Sequence, residues 1–156
     1  MMDKHCGSCA LCCKLLDVQG LAPQGVWCKH AAPGQAGGCC TIHEERPPQC
    51  FGFECLWRES PVLGPELKPE RCKIVFELYR EERLVIAMVD EARPDAWKTG
   101  QPAQLIEQIL SDGYFMWVRI GKTKHLLLPK GLTQTEAIEK TKAAYRRKFP
   151  APNAAA

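Results

Sequence analysis

The sequence has no apolar run approaching the roughly 20 residues a spanning helix needs; its longest stretches, such as 84–89, are far shorter. No apolar segment follows the opening Met-Met-Asp-Lys-His-Cys, so no secretory signal is expected and the expected location is the cytoplasm, away from membranes. There is no Gly-rich phosphate loop, no HExxH and no GxSxG, which removes the commonest nucleotide-binding, metalloprotease and serine-hydrolase signatures. The CxxxCxxC spacing of radical enzymes that use S-adenosylmethionine is missing too. Asp90, Glu91 and Asp95 cluster after a candidate strand but have no partner base, so they read as a solvated loop. With a net charge of only +3, the charge balance names no partner. No catalytic set is left, and whether the chain is an enzyme stays open.

What the sequence does have is cysteine: ten in 156 residues, all between Cys6 and Cys72. Ten thiols could make five disulfides. Disulfide frameworks, however, belong to oxidising compartments and to short secreted chains, whereas cytosolic cysteine arrays are metal sites more often. The chain also carries a sizeable apolar core further on, so staples are not needed for stability. Metal ligation is therefore the expected role of most of these thiols.

The chain divides near residue 72. Residues 1–72 are rich in Cys, Gly and Pro; Gly7, Gly20, Gly25, Gly34, Gly37 and Gly38 permit tight turns, and Pro47-Pro48 blocks helix. Such a segment buries little apolar surface, so metal ligation would supply much of its folding energy. Residues 73–150 read as regular structure. The stretch 73–79 alternates, with Ile74, Phe76 and Leu78 on one face, and 84–89 is a continuous apolar run; Arg80-Glu-Glu-Arg83 suits the loop between them. The stretch 102–112 sets Leu105, Ile106, Ile109 and Leu110 on one helical face and stops at Gly113. A second hairpin is expected from 114–120 and 125–128, turning at 121–124, and Thr133-Gln-Thr-Glu136 is a capping box opening a helix to about Phe149. The expected fold class is α+β: a loop-dominated metal-binding part, then a ββαββα antiparallel sheet with two helices. The tail at 151–156 is expected to fray.

Among the cysteines, Cys6-Gly-Ser-Cys9-Ala-Leu-Cys12-Cys13 carries the strongest signal. A CxxC turn brings two sulfurs to one metal, and a third at the same spacing wraps the loop around a centre, as in iron–sulfur and tetrathiolate zinc sites. Cys12 and Cys13 are adjacent, so their side chains diverge, which suggests two metals or a cluster. With Cys28, Cys40, Cys50 and Cys55 the thiolates number eight, enough for two tetrathiolate sites. Lys14, Lys29, Arg46 and Arg58 lie beside these cysteines and could offset thiolate charge, although each alone reads as ordinary solvated charge.

The run Cys6-x-x-Cys9-x-x-Cys12-Cys13, then Gly25-Val-Trp-Cys28, then Cys40-Thr-Ile-His-Glu-Glu-Arg46-Pro-Pro-Gln-Cys50-Phe-Gly-Phe-Glu-Cys55-Leu-Trp57 resembles the CxxCxxCC, or YkgJ-like, family, described as zinc- or iron-chelating. The resemblance covers about a third of the chain, and it implies metal ligation by Cys6, Cys9, Cys12, Cys13, Cys28, Cys40, Cys50 and Cys55. It implies no particular reaction. Cys39 stands where the family has Gly and is expected to be a spare thiol; His43 stands for a Tyr and Phe51 for an Arg. Cys72 is expected to be a buried free thiol rather than a ninth ligand. His5 and His30 flank ligand positions but are left out of the set, sulfur being abundant.

The C-terminal part is basic, with Arg119, Lys122, Lys124, Lys130, Lys140, Lys142, Arg146, Arg147 and Lys148. Aromatic residues do not interleave with these charges on the helix, so a solvated face is expected in preference to a nucleic-acid surface. Three functions remain. One is a metal-binding protein with a zinc pair in a structural role, presenting its α+β part to a protein partner. The second is an iron–sulfur protein in electron transfer or a modification reaction. The third is a zinc module that binds nucleic acid through the basic helix. Zinc is preferred to iron by a small margin.

Overall fold

The computed structural model describes residues 4–35 and 39–152. Gly37, Gly38 and the last four residues of the tail lie outside the described residues. The C-terminal part is a four-stranded sheet in the order β1-β2-β3-β4, formed by β1 (Ile74–Tyr79), β2 (Leu84–Val89), β3 (Phe115–Ile120) and β4 (Thr123–Leu127). The Cys-rich part is loop with four-residue helices: α1 (Cys12–Leu15), α2 (Pro48–Phe51), α3 (Leu56–Glu59) and α4 (Pro69–Cys72). Two longer helices follow, α5 (Gly100–Ser111) and α6 (Gln134–Lys148). The chain is α+β.

The sheet is mixed, which corrects the antiparallel expectation. β1 and β2 form an antiparallel hairpin, as do β3 and β4, but β2 and β3 pair in parallel from Leu84–Phe115 to Val89–Ile120. The physical reason is α5. A helix between two strands that become neighbours is a crossover, and a crossover returns the chain in the same direction. The second turn is also tighter than expected, because Thr123 and Lys124 already pair with Ile120 and Arg119. That leaves Gly121-Lys122 as the turn, with φ of +55° at Gly121.

Alternation along the strands gives the sheet two buried faces. Ile74, Phe76, Val85, Ala87, Val89, Met116 and Val118 pack with Ile106 and Ile109 of α5 and with Cys72. Val75, Tyr79, Leu84, Ile86, Met88 and Phe115 pack on the other face with Ala137 and Ala144 of α6 and with Cys9, Leu11 and Leu15 of the Cys-rich part. β2 is covered on both sides, which explains why its sequence is apolar throughout. α5 ends as expected: Gly113 has φ of +84°, and the N–H groups of Gly113 and Tyr114 donate to the carbonyls of Leu110 and Ile109. α6 opens with the expected box, Thr133 accepting from the Glu136 N–H while the Glu136 carboxylate accepts from the Thr133 N–H. No helix among the described residues is long and apolar enough to cross a membrane.

Candidate metal centre

The thiols are positioned by backbone, not by long elements. Gly7 takes φ of +57°, and the Cys9 N–H donates to the Cys6 carbonyl at 2.9 Å, closing the first CxxC turn. α1 starts at Cys12, so Cys12 and Cys13 point about 100° apart around its axis. The Cys28 N–H donates to the Cys13 carbonyl at 2.9 Å, Ala31 bridges Cys40, and the Thr41 N–H donates to the His30 carbonyl at 2.9 Å. These bonds lay the Cys28 and Cys40 loops against α1. Pro48 opens α2, which carries Cys50, and Cys55 is the residue that enters α3.

The result is a cavity of about 110 Å³ walled by Cys6, Cys12, Cys13, Cys28, Cys39, Cys40, Cys50 and Cys55. Seven of the eight expected ligands line it. Cys9 does not; it lies behind, on a second, smaller space of about 20 Å³ that it shares with Cys6, Cys12 and Cys55. Cys39, expected to be a spare thiol, stands in the large cavity's wall within hydrogen-bonding reach of Cys6. Cys72 borders neither space. It is buried on the far side of the sheet, its thiol donating to the carbonyls of Leu67 and Ile74 at 3.4 Å.

Two guanidiniums, Arg46 and Arg58, and the imidazole of His43 complete the large cavity's wall. Both lie beside cysteines in the sequence, where they could offset thiolate charge although each alone reads as solvated charge; the structure sets both in the wall. Arg46 stacks on Phe51, 4.3 Å from the ring centroid, and hydrogen-bonds His43. Its Nε is buried and makes no hydrogen bond to any described residue. Trp57 lines the smaller space, with its indole N–H donating to the Gly64 carbonyl at 2.9 Å, while Phe53 lines the larger one.

The electrostatics are those of thiols in a partly dry wall. The hydrogen bond from Cys39 holds the Cys6 thiol down at about 6 against the opposing effect of burial, and Arg58, His43 and Lys68 add to the lowering. Cys13 is lowered by the hydrogen bond from Cys12, which is itself pushed up. Burial pushes up Cys9, Cys50 and Cys55. A cation among these sulfurs would reverse that upward push, since a coordinated thiol ionises outright. As placed, no group of three or more His, Cys, Asp or Glu side chains among the described residues is arranged to hold an ion. The sulfurs surround a space; they do not meet at a point. In donor chemistry, enclosure and compensating positive charge, the wall fits a thiolate-ligated metal, and χ1 rotations of loop cysteines are the movement that would close it.

Lys14, beside Cys13, does not face the thiols. Its ammonium donates to the Asp90 carboxylate at 2.7 Å, tying α1 to the end of β2. Asp90 is nearly buried at 4% exposure. Burial opposes its charge, but the bonds from Lys14 and from the Ala92 N–H outweigh it, so its carboxyl lies below the ordinary 3.8. A lowered carboxyl contributes stability fully above that ordinary value, and the contribution is lost as pH falls through the folded-state value. Lys14→Met should therefore cost about 2 kcal/mol at pH 7, less than a wholly buried pair because Ala92 still holds the carboxylate. The gap from the parent protein should narrow at pH 3. Urea unfolding at the two pH values checks this; an equal loss at both would mean that Lys14 acts by packing.

Four of the nine basic C-terminal side chains are tied to partners. Arg147 makes a two-pronged contact with Glu82 at 2.9 and 2.7 Å, and Lys148 pairs with Glu77. Lys142 pairs with Glu139, and Arg119 donates to Gln24 at 2.6 Å. No family model, curated protein or solved structure matches this chain.

Proposed function

We propose that this chain is a cytoplasmic metal-binding protein of the CxxCxxCC kind, holding zinc through the thiolates of Cys6, Cys9, Cys12, Cys13, Cys28, Cys40, Cys50 and Cys55. The metal's role is structural: it holds the Cys-rich part on the sheet, and the protein acts through contact with a protein partner. One observation carries the reading. The cavity brings together thiols from positions 6 to 55 and sets two guanidiniums among them, one with a buried nitrogen that has no described partner. An uncharged thiol cluster has no use for two guanidiniums in its wall, whereas a metal–thiolate centre with excess negative charge does. When bound, zinc would supply tetrahedral ligation and folding energy.

An iron–sulfur centre is the second reading, and the cavity's size favours it. About 110 Å³ is more than one ion occupies, and the compact Cys6–Cys13 run suits a cluster. The nucleic-acid reading loses support, because Arg147 and Lys148 are spent on carboxylates of the protein's own β1–β2 hairpin. Purification without oxygen, elemental analysis and an absorption spectrum test the proposal. Zinc in a colourless sample is the expected result. Brown colour with iron and acid-labile sulfide would replace zinc by the cluster, and protein with neither metal and its thiols paired by oxidation would end the metal reading.

A further inference from the structure

Nine thiols surround the two spaces, one more than the eight expected ligands, and their distribution is uneven. Cys9 lies only on the smaller space, while Cys13, Cys28, Cys40 and Cys50 lie only on the larger. Cys6, Cys12 and Cys55 stand in the wall between and border both. From this geometry we infer that the cysteines form two separate centres: an inner one of Cys6, Cys9, Cys12 and Cys55, and an outer one of Cys13, Cys28, Cys40 and Cys50. The division rests on the metal-binding reading above.

Two observations converge on it. The smaller space, about 20 Å³, is the size of one water-sized body and is walled by four thiols, the complement a tetrahedral ion takes. The backbone supplies the second. Cys13, Cys28 and Cys40 are held together by the Cys28–Cys13 hydrogen bond and the Ala31–Cys40 bridge, whereas Cys9 is bonded back to Cys6 within the CxxC turn. Cys12 and Cys13 stand within hydrogen-bonding reach of each other where the two sets of four meet, and only Cys12 also borders the smaller space. Cys39 borders the larger space beside Cys6 and is surplus to both sets of four.

The two centres differ in exposure. The inner space is backed by Pro69 and Val75, both buried, and by Trp57, with the exposed Arg58 at its edge. The outer one is ringed by Cys50, Arg46 and His43, the last of these exposed. The inner centre is therefore the permanent fastening, and the outer one can exchange its metal with solution.

Zinc alone, added to the full chain under argon, is the probe. The parent chain should take up about two zinc ions, four thiolates to each. A chromophoric chelator should remove them in two phases of equal amplitude, the outer first. Cys9→Ser should bind about one ion and lose the slow phase; Cys50→Ser should bind about one and lose the fast phase; Cys39→Ser should keep both. Cys9→Ser with a full complement would show that Cys39 completes a single shell, and the division would fall. A single release phase from the parent chain, or a folded Cys50→Ser chain that has lost all its zinc, would show one shared cluster, and the division would fall there as well. The release experiment needs no substitution, so a misfolded variant cannot hide the answer. A parent chain that takes up no zinc overturns the zinc reading beneath the division, a different failure.

Discussion

Stripping zinc from the loaded chain should expose an apolar face of the sheet while leaving its strands paired. The Cys-rich part has only four-residue helices to hold it, and short helices contribute little by themselves. It is fastened to the rest by the packing of Cys9, Leu11 and Leu15 against Val75, Leu84, Ile86 and Phe115, by the Lys14–Asp90 pair, and by Cys72 and Leu56 on the opposite face. Structural zinc contributes about 10–16 kcal/mol in small zinc-folded peptides, more than any other term open to this segment. Loss of the metal should loosen the Cys-rich part and uncover the portion of that face that α6 does not cover, whereas the opposite face keeps its cover from α5. The measurements are fluorescence of an apolar dye, which should rise, and far-ultraviolet circular dichroism, whose strand signal should persist. Quantitative metal removal with no rise in dye binding and no fall in the thermal midpoint would show that ligation does not hold the segment in place.

Phe115→Ala should cost about 3–5 kcal/mol, the range for deleting a fully buried aromatic side chain. Phe115 is completely buried on a central strand, between α6 and the Leu11–Leu15 turn. The cavity left behind can collapse little, since its walls come from three separate parts of the chain. The loss should be read as a lower urea midpoint at unchanged slope. Because Phe115 supports the Cys-rich part, the variant should also release zinc faster although no thiol has changed. A cost below about 1 kcal/mol would mean that these elements do not share one core.

Much of the fold was legible because its signals are local. Alternation in 73–79, the apolar run at 84–89 and the Thr133–Glu136 box each depend on residues a few positions apart, and each element lies within a residue or two of its expected place. The parallel pairing of β2 with β3 was not legible. An element order of ββαββα is compatible with several strand orders, and only packing of the buried β2 between two faces selects this one.

At the site, the spacing of the cysteines marks which thiols to consider, and the divergence of Cys12 from Cys13 hints at more than one centre. Which sulfurs face which space depends on the Cys28–Cys13 and His30–Thr41 backbone bonds, and these join loops with no periodic signature. Cys39, expected to be a spare thiol, is turned by its loop toward Cys6 in the cavity wall, a placement that its position in the sequence does not show. The Lys14–Asp90 pair, 76 residues apart in sequence, left no trace that sequence reading could use.

The shared core also has a consequence in time. During synthesis the ribosome delivers all the clustered thiols, up to Cys55, before any strand exists, whereas Phe115, Ala137 and Ala144, which cover the apolar side of that segment, come last. At about 5–20 residues per second, the nascent thiols wait on the order of 5–20 s for Ala144. In that interval the sulfurs lack the cover of the sheet, and a reducing environment or a bound metal would keep them from oxidation. If the proposed centres form, loading during translation, ahead of folding, is the order of events this architecture favours.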